Sequence, residues 1–131
     1  MFFREQGGDE NWQAHRVDIE TGDIRALTPG PGVQSYVQQV SARFPGELLI
    51  SHNERDKRYF DVYRVNVATG EARWCTQNDS FAEMFTDPQF RVRCGMRCRA
   101  DGGGCRQRGR RWERARCSAA SRRTRCLRPP R

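Results

Sequence analysis

No apolar run among the 131 residues approaches the roughly 20 consecutive positions that a membrane-spanning helix requires. The N-terminal MFFREQGGDEN also lacks the charged start and apolar stretch of a secretory signal. These two absences point to a soluble chain in a cytoplasmic, reducing setting, without a membrane partner. A disulfide framework is not expected there, despite six cysteines. Metal-site spacing is missing as well. Cys94, Cys98, Cys105, Cys117 and Cys126 include no C-x2-C pair, and no histidine lies among them, which argues against a closed zinc site. The expectation is therefore no metal and no cofactor.

What is present is divided. The formal net charge of +8 would ordinarily suggest an anionic partner such as nucleic acid. Residues 1–93, however, hold ten Arg and Lys57 against fourteen Asp and Glu, a net of −3. Residues 94–131 hold thirteen Arg against Asp101 and Glu113, a net of +11. An arginine-rich arm attracts phosphate whatever its fold. Trp112 is the only aromatic side chain available to it for stacking, so no specific nucleic-acid partner is expected. The segment also has too few apolar residues to bury a core, which predicts a disordered tail. Its Arg, Cys, Gly, Ala, Ser and Pro are what a G+C-rich coding sequence yields when read out of frame. A frame break near codons 94–104 is the reading taken, with a nonspecific basic arm as the alternative. Reading the locus in all three frames decides between them.

Residues 1–93 follow period two, with β-branched and aromatic residues alternating against polar ones, as half-buried strands do. Within them, Trp12–Thr28 (WQAHRVDIETGDIRALT) and Phe60–Thr76 (FDVYRVNVATGEARWCT) align at an offset of 48 residues. Arg16/Arg64, Val17/Val65, Thr21/Thr69, Gly22/Gly70, Arg25/Arg73 and Thr28/Thr76 are identical. A tight hairpin often needs a residue at positive φ, which Gly supplies without a Cβ clash, so turns are predicted at Gly22 and Gly70.

Other strands fit around the two hairpins: Phe2–Glu5, 33–41 and 47–52, with 53–58 as a charged loop. Four strands every ~40–50 residues is the spacing of a β-propeller blade. The predicted fold is all-β, a partial β-propeller of about two four-stranded antiparallel blades followed by the disordered tail. Its domains are 1–93 and 94–131. Blade one, at 2–28, is incomplete and lacks its first strand; blade two occupies 33–77; a third begins at 87–93.

Phe2–Trp12, 28–33 and the run NERDKRYFDVYRVNVATG at 53–70 together resemble the N-terminal propeller of prolyl-oligopeptidase-type (S9) serine peptidases. The resemblance is to the bacterial acylaminoacyl-peptidase and dipeptidyl-aminopeptidase branch and covers about residues 2–93; TolB-like propeller repeats share the same grammar and stand second. It implies a propeller that gates access to an α/β-hydrolase domain, and as partners that domain and a peptide substrate. The hydrolase nucleophile sits in a G-x-S-x-G elbow. Ser35, Ser41, Ser51, Ser80, Ser118 and Ser121 all lack the flanking glycines, and the two histidines, His15 and His52, lie on predicted strands. No catalytic residue, and no enzyme activity in this chain by itself, is therefore expected. The function expected is that of a non-catalytic, substrate-gating propeller fragment. The alternatives are a TolB-like protein-interaction module and a nonspecific nucleic-acid binder. Gly7–Glu10 reads as a turn, and Glu54, Asp56 and Asp61, interleaved with Arg55, Lys57 and Arg58, read as a solvated acidic group. Uncovered blade edges predict self-association.

Overall fold

The computed structural model describes residues 1–98 and 105–108, which form ten strands and, among the described residues, no helix. No helix of the described residues is therefore long and apolar enough to cross a membrane. The strands are β1 (Phe2–Arg4), β2 (Gln13–Val17), β3 (Ile24–Ala26), β4 (Ser35–Val40), β5 (Glu47–Asp56), β6 (Tyr59–Asn66), β7 (Ala72–Thr76), β8 (Glu83–Thr86), β9 (Val92–Cys98) and β10 (Cys105–Arg108). They make three antiparallel sheets ordered β1-β2-β3, β4-β5-β6-β7 and β10-β9-β8. The all-β architecture expected from the sequence is the one observed, and its series of up-and-down sheets is consistent with a partial propeller.

Period-two alternation places the middle sheet between the other two. On β5, Leu48 and Ile50 join Ala14, Leu27 and Val65 in a core against the first sheet. Leu49, one step out of phase, joins Val62, Met84 and Phe90 in a second core against the third sheet. Leu49, Ile50 and Val62 are wholly buried. Each such side chain contributes about 1.5–3 kcal/mol relative to exposure. The run ELLI is thus apolar on both faces because it is covered on both faces.

The 48-residue repeat is a repeat of backbone pairing. Phe2↔His15, Phe3↔Ala14 and Arg4↔Gln13 of the first sheet recur as Ile50↔Tyr63, Ser51↔Val62 and His52↔Asp61 of the second. His15↔Ala26, Arg16↔Arg25 and Val17↔Ile24 recur as Tyr63↔Trp74, Arg64↔Arg73 and Val65↔Ala72. Strands β1–β3 therefore correspond to β5–β7. Within the first sheet, β1 pairs with β2.

The turns repeat down to individual bonds. Asp18 Oδ1 accepts from the Glu20 and Thr21 amides at 3.0 and 3.1 Å, and Asn66 Oδ1 accepts from those of Ala68 and Thr69 at 2.9 and 3.0 Å. Thr21 and Thr69 hydroxyls each accept from the amide two residues on, at 3.2 Å. These are Asx- and Thr-based turns, and the residue closing each one, Gly22 or Gly70, has φ of 76° or 73°.

The two turns differ in surroundings. A Cβ on Gly22 would meet nothing within 4 Å, whereas one on Gly70 would lie 3.3 Å from Arg25 Cδ. Arg25, from the first sheet, donates to the Thr69 carbonyl at 2.9 Å and so clamps the second turn. Alanine at either glycine incurs the left-handed cost of roughly 1–2 kcal/mol. Gly70→Ala should lower the melting temperature further than Gly22→Ala, because it also displaces Arg25; equal shifts in paired thermal melts would contradict the clamp.

Three local expectations are corrected. Asn53–Arg58 is not a loop: β5 runs through Asp56, leaving only Lys57 and Arg58 in the turn. Asn53 is held inside, with its Oδ1 accepting from the Gln34 amide at 2.8 Å. The stretch 87–93 is not mainly a strand. Asp87 Oδ1 accepts from the Gln89 and Arg91 amides and Phe90 takes φ of 60°, so the Asp-Pro start makes a turn, and the third sheet begins earlier, at Glu83. Strand pairing also continues past Arg93, since Cys94 pairs with Phe85 and Gly95 with Met84. Residues 105–108 pair with 95–98. The remainder of the expected 94–131 tail, 99–104 and 109–131, lies outside the described residues.

Candidate functional site

Three polar or aromatic groupings stand out where the first two sheets meet. The first is a shallow recess lined by Phe3, Trp12, Gln34, Ser35, Tyr36 and Phe60. Trp12 and Phe60 are 48-residue counterparts, Trp12 just ahead of β2 and Phe60 at the start of β6, and Phe60 stands 5.3 Å from Tyr36, ring centre to ring centre. Ser35 Oγ donates to the Trp12 carbonyl at 2.7 Å, which ties the start of β4 to the start of β2. Burial raises the Tyr36 phenol above its ordinary value. The lining holds no carboxylate, imidazole or ammonium group, so it can pack an apolar or aromatic group but carries no acid–base pair.

The second grouping surrounds Asp61. The sequence suggested a solvated acidic loop, but Asp61 is 1% exposed. Its Oδ2 accepts from Arg55 Nε at 2.6 Å and its Oδ1 from Arg55 at 2.9 Å, a bidentate pair. The same Oδ1 accepts from the Asn78 amide at 2.7 Å, and Arg55 donates on to the Asn78 carbonyl at 2.7 Å. Asn78 in turn fixes the Phe81 backbone through both ends of its amide. The hydrogen bond to Asp61 holds the Arg55 guanidinium above its ordinary pKa. Asp56 is separate: the Arg58 side chain and amide hold it down at about 2. Within the 54–61 segment, Arg55 therefore pairs with Asp61 and Arg58 with Asp56, and the Arg55–Asp61–Asn78 bonds brace β5, β6 and the connection to β8.

The third is His52, paired across the strands with Asp61 and stacked on Tyr63 with ring centres 3.9 Å apart. It is 3% exposed, and its Nδ1 has no hydrogen-bond partner. Burial pushes its pKa down to about 4. His15 lies elsewhere, stacked on Phe2, with Nδ1 at 3.2 Å from the Gln13 carbonyl. The buried serine hydroxyls are engaged with other groups: Ser35 with Trp12, Ser51 with Gln38 Oε1 at 2.9 Å, and Ser41, which accepts from the Arg43 amide at 3.2 Å. Among the described residues, no three His, Cys, Asp or Glu side chains converge to hold a metal ion. The Gly7–Glu10 acidic stretch is a turn, with Gly7, Gly8 and Glu10 all at positive φ. Sequence reasoning missed the Arg55–Asp61–Asn78 network. Its available signal was that Asp61 falls, at the 48-residue offset, on Gln13, a second buried polar residue.

The fold thus defines a class: antiparallel sheets in which a three-strand pairing pattern recurs at an interval of 48 residues. No family model and no solved structure matches the chain. A dipeptidyl aminopeptidase BIII from Pseudoxanthomonas mexicana is 35% identical over 104 residues, which is 79% of this chain and 15% of that protein. The chain is a relative of the S9-type peptidases, and it spans well under a fifth of the length of the relative it matches. A match over 104 residues is longer than the 93 that precede Cys94, so the likeness runs into the Arg/Cys-rich segment. That extends the likeness beyond the expected limit at Arg93 and agrees with β9 crossing that point.

Proposed function

We propose that these residues serve as blades of the propeller domain of an S9-type peptidase, a non-catalytic part that gates substrate access to an α/β-hydrolase domain. The observation that carries this reading is the 48-residue identity of strand register between β1–β3 and β5–β7. Repetition of register, together with turns repeated bond for bond, is what a propeller needs to stack equivalent blades around an axis. The similarity to a dipeptidyl aminopeptidase supports the peptidase-family part of this reading.

In this reading the described residues contribute packing and a recess, while nucleophile, base and oxyanion donors come from a different domain. Covalent peptide hydrolysis needs all three held together. Here His52 is stacked and buried, and Ser35 and Ser51 are bonded to a carbonyl and an amide. The purified chain, incubated with a fluorophosphonate that labels activated serines, should remain unlabelled and release no product from a dipeptidyl chromogenic substrate. Stoichiometric labelling of any serine would overturn the non-catalytic assignment.

A further inference from the structure

We propose that Cys98 and Cys105 form a reversible redox pair, closing a cross-strand disulfide between β9 and β10. Cys98 is the last residue of β9 and Cys105 the first of β10. The two strands are antiparallel, and the cysteines occupy directly opposed positions in a register that continues as Arg106↔Arg97, Gln107↔Met96 and Arg108↔Gly95. Opposed residues of an antiparallel pair share one face of the sheet, with Cα atoms about 4.5 or 5.5 Å apart. A disulfide takes Cα atoms about 4.4–6.8 Å apart, so this register meets its main requirement without moving the backbone. Cys94 and Cys75 are placed differently: Cys94 stands opposite Phe85 of β8, and Cys75 belongs to β7 of the second sheet. The sequence alone gave no pairing, because only the register brings positions 98 and 105 together.

Charge selects the oxidant. Residues 94–131 carry thirteen Arg against Asp101 and Glu113, and a field of that sign draws in an anionic reactant. Glutathione disulfide, a small disulfide bearing several carboxylates, is such a reactant. The thiolate of one cysteine attacks a sulfur of the oxidant, breaking its S–S bond and expelling one glutathione thiolate. The thiolate of the second cysteine then attacks the protein sulfur of the mixed disulfide and expels the other glutathione. Two protein thiols are oxidised to one S–S bond, one small disulfide is reduced to two thiols, and the two protons pass to the departing thiolates. Oxidation ties β10 to β9 covalently, whereas reduction leaves backbone pairing alone to hold them. A single exchangeable bond of this kind is a redox sensor's bond and not part of a structural disulfide framework. The proposal goes beyond the peptidase reading, and its failure would leave that reading intact.

The full chain, equilibrated in glutathione buffers of increasing oxidising strength, quenched with iodoacetamide and digested with trypsin, tests it. Cleavage after arginine puts the two cysteines in different peptides, 98–99 and 100–106, so mass spectrometry identifies their link directly. That linked pair should predominate over links from either cysteine to Cys75, Cys94, Cys117 or Cys126. Its formation constant against glutathione should be at least about ten-fold larger in the native chain than in concentrated urea, where the register is lost. In Cys98→Ser, Cys105 should stop at the glutathione mixed disulfide, because the thiol that displaces the second glutathione is gone. Both cysteines recovered alkylated while the other four oxidise would overturn the proposal. So would links scattered among the other cysteines, or a 98–105 link no more favoured in the native chain than in urea. The comparison with urea uses the wild-type chain, so the test stands even if the serine variant fails to fold.

Discussion

Asp61→Ala should destabilise the chain by about 2–3 kcal/mol, the largest single-residue loss among the polar positions. The carboxylate is buried and accepts three hydrogen bonds, two from Arg55 and one from the Asn78 amide. Alanine leaves that amide, in a residue 1% exposed, without its acceptor. An orphaned buried donor costs about 1–3 kcal/mol by itself. Arg55 also loses the acceptor that orients it toward the Asn78 carbonyl, so the connection between β7 and β8 loosens at both ends. Since half-exposed ion pairs contribute little, the Arg55 side of the pair should matter less than the amide. Asp61→Asn, which retains an acceptor for Asn78, should therefore lose less than half as much, and Arg55→Ala less than Asp61→Ala. Urea denaturation of the three variants measures the order. If Asp61→Asn is as damaging as Asp61→Ala, the amide is not the principal partner.

The same network shows what a sequence conceals. The hairpins at Gly22 and Gly70 were legible because their signal is local: an Asx residue, a Thr and a Gly within five positions, repeated at a fixed offset. Burial of the middle strand was legible in ELLI, whose lack of alternation requires cover on both faces. The fate of Asp61 was not local. Its partners lie six and seventeen positions away, and the neighbouring basic residues made it look solvated. The 87–93 stretch misled for the opposite reason, since alternating Phe90 and Val92 suggested a strand where Asp87, by accepting two amides, had already set a turn. The strand beyond Arg93 was hidden by composition. Arginine, cysteine and glycine are poor strand signals, yet Gly95 is the residue that admits the Phe81 ring, whose Cδ1 would lie 2.5 Å from any Cβ there. The recess is a mixed case. Trp12 and Phe60 are visibly paired in the repeat, but Phe3 and Tyr36 reach it only through strand register.

Stability should fall by roughly 3 kcal/mol between pH 7 and pH 4 through His52 alone. Its ring is enclosed against Tyr63, so burial disfavours the charged form, and the Asp61 carboxylate offsets this only in part. The native pKa is thus about 4, against the ordinary imidazole value of 6.5 when the chain is unfolded. Between these limits the unfolded chain binds a proton that the native state refuses, and stability decreases as pH falls. The contribution is complete above pH 6.5, is lost progressively towards pH 4, and stops changing below that, where both states carry the proton. At 1.36 kcal/mol per pH unit the interval corresponds to roughly 3 kcal/mol, a large part of the 5–15 kcal/mol typical of a domain. Carboxylates act in a lower window. Asp56, held at about 2 by Arg58, loses its contribution only as pH falls below its ordinary range and through that value, so the two effects separate on the pH axis. Urea denaturation at half-unit intervals from pH 7 to pH 4 should show the decline in the wild type. In His52→Phe, which keeps a ring on Tyr63 but cannot take up the proton, the curve should be flat above pH 4.5. A wild-type curve that is itself flat, or a His52→Phe curve as steep as the wild type, would show that the buried imidazole does not set the acid limit of this fold.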